Sequence, residues 1–317
     1  MTKILGNPFT KRSPSHLHGF LFCAAALFFS LTIAPLASPA VSSTKAEDSS
    51  AGESRYTTLD GARLHYVNYG KGSEALILIH GWTMNEDNWR DQVTEFARRT
   101  RVIAIDLPGH GKSDKPQVTY SMDLFARAVD AVMRDAKVKR AVLVGHSMGT
   151  PIARQFYRKY PEKTLAIVVA DGPLRPFGEK AMMDSMTAGF RGPNYKDVMG
   201  QMFAGMFGPN LTAEAKERIQ ASRLSTPQYV LVSAWEGMVD ASIWGEDKIN
   251  VPVLAIMAKN PFFGLDLEQR YRGIAPNLEF LLWDGVGHFV MMDRPKEFNE
   301  AVLAFLDKNK LLKNSKS

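Results

Sequence analysis

Cysteine is almost absent from this sequence: Cys23 is the one cysteine in 317 residues. A single cysteine cannot form a disulfide within the chain, and it cannot supply the cysteine pair of a structural zinc site. The sequence also contains no spaced set of His, Asp and Glu residues that suggests a metal centre. We therefore expect neither a metal nor another cofactor.

The sequence also lacks a basic face, although its formal charge is +6 at pH 7. Three positive charges lie in residues 1–40 and four in the last ten residues, and neither segment contains an acidic residue. The rest of the chain therefore carries a net charge of −1. Because the positive charge is confined to the two ends, we expect no nucleic-acid partner.

The N-terminal apolar run, residues 20–33, is shorter than the about 20 residues that a membrane span requires. It follows a basic stretch and leads into small residues and prolines, so residues 1–40 are predicted to be a signal peptide cleaved near Ala37 or Ala40. We expect a secreted or periplasmic protein without stable membrane insertion after cleavage; an uncleaved N-terminal anchor is the alternative. Because Cys23 would leave with the signal, the mature chain would have no thiol to act as a nucleophile.

After a flexible lead-in at residues 41–53, the pattern is that of one α/β domain. Short apolar runs bounded by turn residues are typical of the buried strands of a parallel sheet. They cover residues 74–80, 101–106, 140–145, 165–170, 251–257 and 278–283. Helical patterns at residues 123–135 and 151–160 predict βαβ units, and Asp60-Gly61 predicts an earlier antiparallel hairpin.

The motif Gly145-His-Ser-Met-Gly149 ends the third of these runs and precedes a helical pattern. The G-x-S-x-G motif requires this strand–turn–helix context, because its glycines permit a sharp turn that presents the serine above the edge of the sheet. The N-terminus of the following helix directs backbone N–H groups toward developing negative charge. We therefore expect Ser147 to be a nucleophile rather than part of a structural turn.

Four motifs together resemble the α/β-hydrolase superfamily, and in particular its cap-bearing group of esterases, lactonases, C–C bond hydrolases, epoxide hydrolases and haloalkane dehalogenases. They are His80-Gly-Trp82, Asp106-Leu-Pro-Gly-His-Gly-Lys-Ser-Asp114, Gly145-His-Ser-Met-Gly149 and Gly285-Val-Gly-His288. The resemblance runs from about residue 56 to residue 306.

This resemblance implies an α/β-hydrolase fold, in which a mostly parallel eight-stranded sheet carries helices on both faces. It also implies a helical cap inserted after the sixth strand, at residues 172–248, which we call the insertion. The core would then comprise residues 54–171 and 249–310, followed by a Lys-rich tail at residues 311–317.

The resemblance further implies which residues form the site. His288 lies in a glycine-flanked loop after the last strand, where the nucleophile, acid, histidine order of the fold places the general base. The backbone N–H groups of Met148 and Trp82 would form the oxyanion hole. The Trp82 side chain, Phe262 and Phe289 are expected to line the substrate pocket.

The catalytic acid is where this sequence departs from the family pattern. Most relatives carry an Asp after the strand at residues 251–257, whereas Asn260 stands near that place here. We favour Asp171, because the end of a strand holds a carboxylate more rigidly than a loop. Haloalkane dehalogenases and some lactone hydrolases place their acid at that strand end. Asp266, in the loop after Asn260, is the alternative acid.

The insertion contains seven of the 15 methionines, together with several aromatic residues. Such side chains adapt to varied apolar ligands, so a few should line an acyl or aromatic pocket. The predicted function is an exported serine hydrolase that cleaves a small apolar carboxylic ester or lactone through a Ser147-His288-Asp171 triad. A C–C bond hydrolase with the same triad and a non-catalytic ligand-binding protein of the same fold are the alternatives. Ser147 argues against the epoxide hydrolases and dehalogenases of this fold, which use an Asp nucleophile.

Overall fold

The computed structural model describes residues 52–260, 264 and 266–312. Within this part of the chain, eight strands form one sheet in the order β1-β2-β4-β3-β5-β6-β7-β8. The strands are β1 (Glu53–Leu59), β2 (Ala62–Tyr69), β3 (Glu74–Ile79), β4 (Val102–Ile105), β5 (Arg140–His146), β6 (Thr164–Ala170), β7 (Val253–Ala258) and β8 (Leu278–Trp283). β2 is antiparallel to both of its neighbours, and all other neighbouring strands are parallel.

Helices follow most of the parallel strands. They are α1 (Arg90–Ala97), α2 (Met122–Asp135), α3 (Gly149–Lys159), α4 (Lys180–Arg191), α5 (Tyr195–Met206), α6 (Ala213–Ser225), α7 (Gln228–Val239), α8 (Leu267–Arg272), α9 (Val290–Asp293) and α10 (Pro295–Lys308). α2 packs against α3, and α1 packs against α10. The helices α4 to α7 belong to the insertion and lie between β6 and β7 in the chain.

The predicted α/β-hydrolase fold with its mostly parallel eight-stranded sheet is confirmed. β4 and β7 are buried at every position, as continuous apolar strands must be when helices cover the sheet. The hairpin between β1 and β2 turns at Asp60 and Gly61, which have φ values of 50° and 83°. Ser121 begins α2 by accepting a hydrogen bond from the Leu124 N–H at 3.2 Å.

The parallel strands bring the chemically interesting residues to one edge of the sheet. β3, β5, β6 and β8 end before His80, Ser147, Asp171 and the loop that contains His288, respectively. Because the carboxyl ends of parallel strands lie at the same edge, residues far apart in the sequence meet there.

Three predicted segments lie wholly or mainly outside the described residues. They are the signal peptide, residues 1–40, the lead-in, which is described only at residues 52–53, and the Lys-rich tail, which is described only at residues 311–312. Among the described helices, none is both long and apolar enough to cross a bilayer.

Candidate active site

Ser147 lies in the sharp turn between β5 and α3. Its φ of 50° is uncommon for a residue other than glycine, and such backbone strain is concentrated at functional sites. The Ser147 N–H donates to the Ala170 carbonyl at 3.1 Å, and the Ser147 carbonyl accepts from the Thr150 N–H at 2.9 Å. A Cβ atom on Gly145 would overlap the Gly149 carbonyl, so the turn requires glycine at this place. The turn therefore holds Ser147 in a defined position at the edge of the sheet.

His288 and Asp171 form a hydrogen-bonded pair at the same edge. Nδ1 of His288 lies 2.6 Å from Oδ2 of Asp171, whose side chain is 1% exposed. The other oxygen of Asp171 accepts from the Ala258 N–H at the end of β7, at 2.8 Å. Because an ionised carboxylate only accepts hydrogen bonds, Nδ1 is the nitrogen that donates to it; in the neutral imidazole, Nε2 then keeps a lone pair that can receive a proton.

The structure separates the two candidate acids. Asp171 is buried against His288, whereas the Asp266 side chain is 62% exposed and pairs with Arg270 at 3.4 Å. Asn260, near the place where most relatives carry their acid, lines the cavity described below. The geometry therefore favours Asp171 over Asp266 as the carboxylate that orients His288.

The two backbone N–H groups predicted for an oxyanion hole lie beside Ser147. Met148 directly follows Ser147 and caps the N-terminus of α3, and Trp82 follows Gly81 in the loop after β3. A Cβ atom on Gly81 would stand 3.0 Å from the Cβ of Ser147, so this loop lies against the turn that holds Ser147. Among the hydrogen bonds of the described residues, neither N–H donates to a protein acceptor. Both groups are thus able to donate to a ligand oxygen.

A cavity of about 370 Å³ opens at this edge, and Ser147 and His288 form part of its wall. Most of the remaining wall consists of methionine and aromatic side chains: Trp82, Met84, Phe177, Met186, Met202, Phe203, Met206, Trp235, Met238 and Phe289. No Lys, Arg, Asp or Glu of the described chain belongs to this lining. The cavity therefore suits an uncharged, apolar ligand.

The pocket residues named from the sequence lie as follows. Trp82 and Phe289 are buried and line the cavity, whereas Phe262 lies outside the described residues. The Trp82 indole N–H donates to the Leu231 carbonyl of α7 at 2.8 Å, which joins the core loop to the insertion. Met84 was not predicted from the sequence, because it belongs to a core loop without periodic apolar positions.

His146 was also given no role by the sequence analysis, although its position next to Ser147 was a signal. Its side chain is buried, and its Nε2 lies 3.0 Å from the His288 carbonyl oxygen. Burial, and then the positive charge that His288 can carry, lower the pKa of His146 well below 6.5. His146 is therefore neutral near pH 7, and its Nε2–H donates to the His288 carbonyl. Its Nδ1 has no hydrogen-bond partner among the described residues.

A second cluster of titratable groups joins His65, Glu86 and Asp106, whose ligand atoms lie within 4.8 Å of one another. Nδ1 of His65 donates to Asp106 at 2.7 Å, and the backbone N–H groups of Glu86 and Lys112 donate to the same carboxylate at 2.8 and 2.9 Å. Burial raises the pKa of Asp106, but these hydrogen bonds outweigh burial and the net pKa is lowered. The second ring nitrogen of His65 lies 2.9 Å from the Ser54 hydroxyl, and the Glu86 carboxylate pairs with Lys112 at 3.6 Å. Since its side chains all have protein partners, this cluster has the form of a structural network that ties β2 to the turn after β4.

The sequence profile of the Alpha/beta hydrolase family matches residues 76–301. A 2-hydroxy-6-oxononadienedioate/2-hydroxy-6-oxononatrienedioate hydrolase of Paraburkholderia phymatum is 28% identical over 265 residues, which cover 77% of this chain and 91% of the relative.

Solved structures show the same fold. Est816, described as an N-acyl homoserine lactone degrading enzyme, has a TM-score of 0.67 at 25% identity over 79% of this chain and 100% of that chain. An esterase from Exiguobacterium antarcticum has a TM-score of 0.72 at 17% identity over 81% of this chain and 100% of that chain, a likeness of fold alone. With the profile match over most of its length, the chain belongs to the alpha/beta hydrolase family.

Proposed function

We propose that this hydrolase cleaves small apolar carboxylic esters or lactones through a serine acyl-enzyme. The observation that carries the proposal is a coincidence of three features at one cavity. Ser147 stands on a strained turn, His288 is hydrogen-bonded to the buried Asp171, and the cavity wall that they share is apolar and uncharged.

In the proposed reaction, Ser147 Oγ attacks the carbonyl carbon of the substrate while Nε2 of His288 takes the serine proton. Asp171 keeps the hydrogen on Nδ1 and stabilises the imidazolium that forms. The Met148 and Trp82 N–H groups donate to the oxyanion. His288 then protonates the leaving alcohol, and water repeats the sequence to release the acid and restore Ser147.

The uncharged wall of the cavity supports a neutral acyl group as substrate. Burying an unpaired carboxylate in such a site costs several kcal/mol, since no cationic side chain of the described lining would replace its water. Five methionines line the cavity, namely Met84, Met186, Met202, Met206 and Met238. Their unbranched, polarisable side chains can adapt to acyl chains of different shape.

The second candidate is a C–C bond hydrolase, which would use the same three side chains. The Paraburkholderia phymatum relative, named for a dioate substrate, favours this reaction class. A dioate carries two carboxylates, however, and the described lining offers no Lys or Arg to receive them. We therefore place ester or lactone hydrolysis first.

The test is to label the purified protein with a fluorophosphonate and to map the adduct by peptide mass spectrometry. We expect the adduct on Ser147 and its loss in Ser147→Ala. Turnover should then be compared among short p-nitrophenyl esters, lactones and vinylogous diketone acids. Preference for the diketone acids would select the C–C reaction, and binding of apolar esters without labelling or turnover would select a ligand-binding protein.

We also propose that the protein is exported and that its signal peptide is removed near Ala37 or Ala40. The support is the basic, apolar and small-residue order of residues 1–40. Mass spectrometry of the protein recovered from the native host's medium or periplasm should show the shortened N-terminus. Full-length protein in the membrane fraction would instead indicate an uncleaved anchor.

A further inference from the structure

The backbone of His288 is held on both sides by groups outside the predicted triad. Its N–H donates to the carbonyl of Met206, the last residue of α5, at 2.9 Å. Its carbonyl accepts from Nε2 of His146 at 3.0 Å. One hydrogen bond therefore comes from the insertion, and the other comes from the turn that presents Ser147.

The contact with the insertion leaves almost no free space. A Cβ atom on Gly208 would overlap both the Gly287 nitrogen and Oδ2 of Asp293, and a Cβ atom on Gly287 would overlap the backbone of Gly208. The carboxylate of Asp293 is buried and accepts from the Gly287 N–H at 2.5 Å. The two backbones thus meet at a glycine–glycine contact directly beside His288.

We propose that the insertion segment 206–208, together with the His146 side chain, positions His288 for proton transfer with Ser147. This inference rests on the proposed serine mechanism. Asp171 holds only one atom of the imidazole ring, Nδ1. It therefore does not by itself fix the position of the His288 backbone, from which the side chain extends. The two hydrogen bonds of the His288 backbone fix that position. Because one of them comes from the insertion, the alignment of His288 with Ser147 depends on the position of the insertion.

The size of the effect follows from the tolerance of catalytic geometry. Catalytic groups need to be held within about 0.5 Å, and a displacement of about 1 Å can reduce the rate by about 10²-fold. Since the Gly208 and Gly287 backbones leave no room for a methyl group, adding one should shift the His288 loop on this scale. Segment 206–208 and His146 are therefore positioning elements, whereas Ser147 and His288 carry the chemistry.

The first test is Gly208→Ala, with Gly200→Ala as the matched control. Gly200 lies in α5, outside the cavity lining, and a Cβ atom there meets nothing within 4 Å. On a short p-nitrophenyl ester we expect Gly208→Ala to lower kcat by about 10- to 100-fold with KM changed by less than about 3-fold. Gly200→Ala should keep the kcat and KM of the parent protein.

The second test uses the other hydrogen bond of the His288 peptide. His146→Leu removes the donor, whereas His146→Gln can present a side-chain N–H to the same carbonyl. We expect His146→Leu to lower kcat by about 10-fold or more, and His146→Gln to recover most of the loss. A residue that only fills space would not show this recovery, because Leu fills the site at least as well as Gln.

A readout independent of turnover separates this inference from the proposed function. The proton on Nδ1 of His288 should give a downfield NMR signal, assigned by its loss in Asp171→Asn. In Gly208→Ala this signal should broaden or move, while Gly200→Ala leaves it unchanged. A parent protein without ester or lactone turnover would refute the proposed function, yet the NMR signal would still test the positioning.

Two results would overturn the inference. One is a Gly208→Ala variant that matches Gly200→Ala in kcat and in the Nδ1–H signal. The other is a His146→Leu variant that keeps the parent kcat, or a His146→Gln variant that recovers nothing. If Gly208→Ala fails to fold by circular dichroism, the His146 pair decides the question.

Discussion

At the scale of single residues, Ser147 and Asp171 share an uncommon backbone conformation, with φ values of 50° and 44°. Each directly follows a parallel strand, and its N–H donates to a carbonyl of the neighbouring strand. Ser147 donates to Ala170, the last residue of β6, at 3.1 Å, and Asp171 donates to Ile256 in β7 at 2.9 Å. A left-handed conformation of this kind costs about 1–3 kcal/mol and persists only when the surroundings enforce it. The sheet itself therefore holds both side chains toward the cavity edge.

Asp171→Asn is expected to reduce kcat by about 10⁴-fold, the loss known for the corresponding change in the serine protease triad. An amide can orient the imidazole, but it has no charge to stabilise the imidazolium and it favours the wrong tautomer. Measurement of kcat on a short p-nitrophenyl ester tests this. Asp266→Asn is the matched control and should stay within about 2-fold, since the Asp266 side chain is 62% exposed. A large loss in Asp266→Asn with little effect in Asp171→Asn would move the acid to Asp266.

The sequence could place polar residues at strand ends and favoured Asp171 as the acid, but it could not exclude Asp266. The positions of Ser147 and His288 follow from local motifs that come directly after apolar runs. The choice between Asp171 and Asp266 depends on a contact between side chains 117 residues apart, which no local pattern encodes. The same holds for His146: its place beside Ser147 is visible in the sequence, but its hydrogen bond to the His288 carbonyl is not.

At the scale of secondary-structure elements, the N-terminus of α3 lies directly on β3. A Cβ atom on Gly149, the first residue of α3, would overlap the Ile79 carbonyl oxygen at the end of β3. The helix can therefore approach the strand only where it has no side chain. This approach sets the position of the Met148 N–H, which is proposed to donate to the oxyanion.

Gly149→Ala should consequently impair both stability and catalysis. Forcing a methyl group into a packed interface costs about 1–3 kcal/mol, and for a domain of this size each kcal/mol lowers Tm by about 2–4 °C. Displacing one oxyanion donor should further reduce kcat, by up to about 10²–10³-fold. Thermal unfolding and ester kinetics check both effects, with Gly200→Ala as the control. Parent-like Tm and kcat in Gly149→Ala would show that α3 can shift without harm.

The positions of the strands and helices were largely predictable from the sequence, whereas the contacts between them were not. Residues 123–135 and 151–160 were predicted to be helical, and α2 (Met122–Asp135) and α3 (Gly149–Lys159) are found there. The insertion is joined to the core, however, partly through the carbonyls of Leu231 and Met206. Every residue has a backbone carbonyl, so nothing in the sequence marks the ones that receive a hydrogen bond from another element.

At the scale of the whole molecule, four histidines of the described chain are buried: His65, which is hydrogen-bonded to Asp106, and three others, His80, His110 and His146. Burial lowers the pKa of all three below the ordinary 6.5, that of His110 to about 3. The folded protein therefore keeps these imidazoles neutral at pH values where the unfolded chain binds a proton at each of them. This difference in proton binding couples the stability of the fold to pH.

The sign of this coupling follows from proton counting. Below pH about 6.5 the unfolded chain binds more protons than the folded one, so the free energy of unfolding falls as pH decreases, by about 1.4 kcal/mol per pH unit for each buried neutral histidine. Above pH about 7.5 the imidazoles are neutral in both states, and they contribute no slope. The free energy of unfolding, measured with urea between pH 8 and pH 5, should be constant above about pH 7.5 and should decline below about pH 6.5. His110→Gln should reduce the slope of that decline by about 1.4 kcal/mol per pH unit and should leave the free energy of unfolding constant above about pH 7.5. An unchanged slope would mean that His110 takes up its proton without unfolding.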